Sequence, residues 1–192
     1  MRYSLLALIF ILIGCKKNDQ GTPIQEIVLN DTLTGKGQLI DSLEIGYWKY
    51  YNSEKRLIGI SEYKIVNNKS YLNQEITFDA LGDTIYEKSS YFTFSFREDN
   101  KVDIKFKKLF NEDSYSFFLY SNNIDSDFRN VDNIKLDTIY FKGDRITVEL
   151  QNNNLRGLIK EIKFTSDSTF MDRDIYVDIN KKSKDISTVV KK

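Results

Sequence analysis

Catalysis and metal binding draw on a short list of side chains, and this sequence withholds several of them. Histidine is absent from all 192 residues, which removes the commonest general base and the commonest zinc ligand. There is one cysteine, Cys15. It can form no internal disulfide and no Cys/His nucleophile pair. Oxygen ligands are plentiful, and Asp125, Asp127, Asn130, Asp132 and Asn133 form their densest cluster. Calcium takes about six to eight oxygens, and such a loop can supply them. The spacing fails the EF-hand pattern, because Arg129 falls at a ligand position and no glycine follows it. The expectation is a solvated loop, and the same holds for Asp167, Asp172 and Asp174. Paired carboxylates can do acid/base work on a glycan, but among 28 acidic residues the sequence singles out no pair. The serines and lysines form neither a nucleophile elbow nor an SxxK box. No catalytic residue, metal ligand or cofactor site is assigned.

The lone cysteine has a different use. Arg2 and the amino terminus precede an apolar run over residues 5–13. A membrane-spanning helix needs about 20 apolar residues, whereas a secretory leader needs about 7–15 behind a positive charge. The run is a leader by that measure. Leu12-Ile13-Gly14-Cys15 resembles the lipobox of bacterial lipoproteins, with a small residue directly before the cysteine. The resemblance implies recognition of Leu12, Ile13 and Gly14 by a signal peptidase and cleavage before Cys15. It also implies a diacylglyceryl group on the Cys15 sulfur. Two or more acyl chains anchor stably where one does not, so the implied partner is a membrane. The implied location is the cell envelope, at the outer membrane, with the periplasmic or surface-facing side left open.

The rest of the chain must fold without disulfides. Lysine plus arginine and aspartate plus glutamate each number 28, so there is no electrostatic case for nucleic acid. Aromatic residues make up 14%, material that suits pleated sheets. Residues 15–34, polar and holding the only proline, Pro23, read as a lipidated tether. Phe92, Phe94 and Phe96 alternate with polar residues, as do Val102, Ile104 and Phe106. This period of two marks half-buried strands, and the polar stretch 97–101 makes them a hairpin. Further short runs at 115–120, 135–141, 146–150, 155–164 and 174–179 extend the pattern. The expected fold is all-β: an antiparallel meander over 35–112, a sandwich-like unit over 113–180, and a polar, frayed tail over 181–192.

Gly46-Tyr47-Trp48-Lys49-Tyr50-Tyr51 and Phe78-Asp79-Ala80-Leu81-Gly82-Asp83 resemble one unit of the MORN-like, YwqK-type repeats over residues 35–90. The chain as a whole resembles envelope lipoproteins of Bacteroidetes. In a strand, Tyr47 and Lys49 share one face and Trp48 and Tyr50 the other. One of these faces must pack a core; Tyr47 and Lys49 are the candidate binding surface if theirs is open. Anchor, tether and β scaffold without a catalytic set lead to one expectation, a non-catalytic binding or structural module for a protein or glycan partner. The alternative is an envelope hydrolase that uses carboxylates on glycans. A concave pocket with two facing carboxylates would favour the second, and a flat aromatic patch the first.

Overall fold

A computed structural model describes residues 23–107, 110, 114–150, 152–165, 169–183 and 186. Cys15, Leu12, Ile13 and Gly14 lie outside the described residues. The expected fold class holds. Among the described residues there are twelve strands and two single 3-10 turns, and every strand pairing is antiparallel. No described helix is long and apolar enough to cross a membrane.

The first sheet is a meander of five strands in chain order: β1 (Ile24–Asn30), β2 (Leu33–Ile40), β3 (Leu43–Asn52), β4 (Leu57–Val66) and β5 (Lys69–Thr77). Tight turns join neighbours, and Asp41, Ser42, Asn67 and Asn68 adopt positive φ in two of them. Asn and Asp tolerate that conformation better than most residues. Trp48 is 1% exposed, and the reason lies on the neighbouring strand. A Cβ on Gly37 would come within 2.3 Å of the indole, and one on Gly35 within 3.3 Å. The ring lies flat on backbone that only glycine leaves bare. Beside it the Tyr50 and Tyr63 hydroxyls meet at 3.0 Å, and burial raises the pKa of both.

β6 (Phe92–Phe96) and β7 (Lys101–Phe106) form the expected hairpin. Their sheet is completed by β10 (Arg145–Glu149), which pairs with β7. The last sheet runs β12 (Phe170–Asn180), β11 (Asn154–Phe164), β8 (Tyr115–Tyr120), β9 (Asp137–Phe141). The inner faces of these two sheets make the larger core. Phe92, Val102, Ile104, Phe106, Ile146 and Val148 pack there with Phe118, Ile159, Ile175, Val177 and Ile179.

Three boundaries expected from the sequence move. The tether cannot reach residue 34, because residues 24–30 already form β1, paired with β2. The division at 112/113 does not separate two units, since β10 lies in one sheet with β6 and β7 and the core draws on both sides of the cut. The sandwich spans 92–180 and the meander 24–77. The tail is not polar throughout in its role: Ile186 is fully buried with Ile60, Ile76 and Phe78 in a second core under the meander.

A polar clamp joins the sheets. β5 carries a bulge at Asn73, which has no partner between Leu72 and Gln74. Its side chain turns to β12 instead. The Tyr176 N–H donates to Asn73 Oδ1 at 2.7 Å, and Asn73 Nδ2 donates to the Tyr176 carbonyl at 2.9 Å and to Glu62 Oε2 at 2.8 Å. Gln74 faces the other sheet, accepting the Phe92 N–H at 2.9 Å while donating to Glu62. Lys64 completes the set, 3.2 Å from Glu62 Oε1. Asn73 and Gln74 are both buried, so removing one partner leaves desolvated groups unpaired. Asn73→Leu is expected to lower stability by about 3 kcal/mol in chemical denaturation. A loss within about 0.5 kcal/mol, the range of ordinary surface changes, would show that the clamp holds nothing.

Candidate functional site

The outer face of the β12-β11-β8-β9 sheet is closed at one end and open at the other. Strand alternation puts Tyr115, Phe117 and Leu119 of β8 outward, and registers place Tyr140 opposite Phe117, Ile162 opposite Tyr115, and Phe170 opposite Phe164. At the closed end Leu158 and Tyr176 are covered. The Tyr71 ring of β5 meets Tyr176 edge-on at 5.0 Å, and the Phe128 ring meets it from the 121–133 loop, also at 5.0 Å. Burial, with Asp174 adding to it, pushes the Tyr176 hydroxyl up to about 12 and moves Tyr71 the same way.

The open end carries two pairs of rings in contact, with no element of the described residues over them. Tyr140 is 80% exposed, Tyr115 65%, Phe164 63% and Phe170 62%. Phe117 and Tyr140 are 6.0 Å apart, Tyr115 and Phe164 6.1 Å, both at tilted or edge-on angles. Half-buried Ile162 lies between the pairs. The charges within this face are spent on each other: Lys160 Nζ lies 2.5 Å from Asp174 and 4.0 Å from Asp172. The result is an exposed aromatic surface with one lysine set between two aspartates. Contiguous exposed apolar patches of this kind mark interaction sites.

Tyr47 and Lys49 share a face, as the alternation requires. Tyr47 is half-buried and packs against the second core, and Lys49 is half-buried too. The face of Tyr47 is therefore mainly a packing face. Its ring also lines a cavity of ≈ 190 Å³ with Glu62, Lys64, Gln74, Phe92, Phe94, Asp178 and Ser183. Two carboxylates reach this cavity. Glu62 is held by Lys64 and two amides, and Asp178 by Arg156 Nε at 3.2 Å. These bonds brace the walls of the cavity. A second charged pair, Glu161 and Arg173, is sealed inside the sandwich. Glu161 accepts the Phe110 N–H at 3.3 Å, Arg173 donates to the Lys107 carbonyl at 2.8 Å, and burial lowers the arginine's pKa.

The oxygen-rich loop closes on itself. Asp125 accepts the Arg129 N–H at 2.8 Å, Asn130 accepts the Asp125 N–H at 3.0 Å and donates to the Asn123 carbonyl at 2.6 Å, and Asp127 pairs with Arg129 at 2.6 Å. Its use is to seat Phe128, which has φ of 56° and is 2% exposed. Among the described residues no group of three or more acidic or cysteine side chains could hold a metal ion.

Sequence reasoning missed the aromatic face. A signal was present in β8, where Tyr115 and Phe117 alternate not with polar residues alone but with Ser116, Phe118 and Tyr120, so both faces are aromatic. No family model, curated protein or solved structure matches the chain. Tyr47→Ala is expected to cost about 1–2 kcal/mol through lost burial, read as a lower melting temperature. An unchanged melting temperature would return Tyr47 to the candidate binding residues.

Proposed function

We propose that this chain is a lipid-anchored protein of the cell envelope that acts as a non-catalytic binding module for a protein partner. The observation that carries the reading is the open end of the aromatic face, where exposed Tyr140 packs on half-buried Phe117 beside a second ring pair, exposed Tyr115 and Phe164. Aromatic residues are enriched at protein interfaces and supply most of the affinity there. A protein suits this surface better than a glycan. Sugar hydroxyls need unengaged hydrogen-bonding groups beside the rings, and Lys160, Asp172 and Asp174 are engaged with one another. Leu12-Ile13-Gly14-Cys15 supports the anchor, and on this reading the module sits at the outer membrane, with its periplasmic or surface-facing side left open. The short polar stretch 16–23 between Cys15 and β1 serves as its tether.

Two experiments test this. A photo-crosslinking amino acid at position 140 of the full chain, in living cells, is expected to join one envelope protein in high yield. Phe117→Ser is expected to reduce that yield at a stability cost of about 1–2 kcal/mol, the loss of a half-buried ring, with the chain still folded. Adducts to glycan, or none, would contradict the protein-binding reading. For the anchor, Cys15→Ser is expected to leave an uncut precursor without acyl label; normal cleavage and labelling would overturn it.

A further inference from the structure

We infer that one end of the folded chain rests on the lipid surface that holds Cys15, through the aromatic side chains flanking the β11–β12 hairpin. This rests on the anchored reading of Cys15 given above.

The strand directions decide which end. Because the meander alternates, the start of β1, the turn between β2 and β3 and the turn between β4 and β5 lie at one end of that sheet. The contacts from β5 to β12 rise together along both strands. Tyr71 donates to the Asp174 carbonyl at 2.9 Å, and two residues on Asn73 bonds the Tyr176 backbone. β5 and β12 therefore run the same way side by side. The start of β12 lies at the same end as the start of β1, and so do the end of β11 and the start of β8. The chain enters the fold at the end where Phe164, Phe170 and Tyr115 are exposed, with exposed Ile24 at the entry itself.

Chain length brings that end to the membrane. Eight residues, 16–23, separate Cys15 from Ile24. From Cys15 to Ile24 is nine residue steps, at most about 32 Å at roughly 3.6 Å each. With Cys15 at the bilayer surface, Ile24 cannot stand farther away. Lys16 and Lys17 in the same stretch are drawn to anionic headgroups and shorten the distance in practice. Aromatic side chains favour the headgroup level, where an apolar ring meets a wet boundary. The opposite end presents the charged turn Glu54, Lys55 and Arg56 after β3, with exposed Leu81 and Tyr86 beyond β5, so it is the attachment of the tether at β1, and not apolar exposure alone, that selects the end.

The contact would orient the binding face. The Phe117 row lies four residues up β11 from the Phe164–Phe170 pair, roughly 13 Å at the rise of a strand. Phe164 and Phe170 meet the headgroups while Phe117 and Tyr140 stand above them, turned sideways toward a neighbour in the same membrane.

The test uses the acylated full-length protein, purified from cells and reconstituted in vesicles of phosphatidylethanolamine and phosphatidylglycerol. Single-cysteine variants Phe170→Cys, Tyr115→Cys and, as controls at the far end, Glu54→Cys and Leu81→Cys carry an environment-sensitive fluorophore. All four positions are exposed, so the fold tolerates them. Nitroxide-bearing lipid is expected to quench positions 170 and 115 severalfold and to leave 54 and 81 unchanged. Equal quenching at both ends, or none at 170 and 115 while the protein stays vesicle-bound, overturns the docking alone. A Cys15 that takes up the fluorophore in the unmodified chain is not acylated, and that result overturns the anchor and the docking together.

Discussion

The side chain of Asn73 stands in for a missing strand partner, and the arrangement of all three sheets follows from it. A bulge releases this residue from the β4–β5 ladder, and its amide then satisfies both the N–H and the carbonyl of Tyr176 on β12. Gln74, its neighbour, makes the equivalent contact with the backbone of Phe92 on β6. Consecutive residues on a strand point to opposite faces, but the bulge lets these two amides act from one place toward two sheets. Glu62 receives a hydrogen bond from each and is balanced by Lys64. A buried polar network of this kind is worth having only when every member is satisfied, and here each named group has its partner.

Docking the meander in this way decides which surfaces are left over. Tyr71 and Asn73 reach β12 from one side, and Phe128 arrives from the loop that the Asp125 and Asn130 turns hold in shape. Together they close about half of the outer face of the four-stranded sheet. The meander extends away from the remaining half, so the rings of Tyr115, Phe117, Tyr140 and Phe164 stay open. The same placement aligns the chain's entry into β1 with the hairpin between β11 and β12. Function, on this account, sits in the part of a sheet that the fold had material to cover and did not.

Much of the architecture was legible because it is local. Alternation marks β6, β7 and β10 closely, and the tight polar turn between β6 and β7 makes a hairpin the economical connection. Trp48 was already a core candidate by its place in an aromatic strand, although the bare backbone of Gly37 beneath it is a tertiary matter. What escaped was non-local. β10 pairs with β7 across about forty residues of sequence, and no pattern within either strand states its partner. β1 follows directly on a polar stretch with the only proline and shows no alternation; nearly all of it is exposed, so it has no face to bury, and its order comes from pairing with β2. Exposure of the aromatic face is likewise a property of packing, since an outward Tyr140 and an inward Phe118 look alike in a sequence. Cys15 and the proposed leader are the opposite case, read from a local resemblance and lying outside the described residues.

The central claim is that the Asn73–Gln74–Glu62 clamp makes meander and sandwich one cooperative body, which is what fixes the open face in position. Scanning calorimetry of the mature protein tests it most directly. The account predicts a single transition in which calorimetric and van't Hoff enthalpies agree. Two resolved transitions, with the meander melting apart from the sandwich, would contradict it.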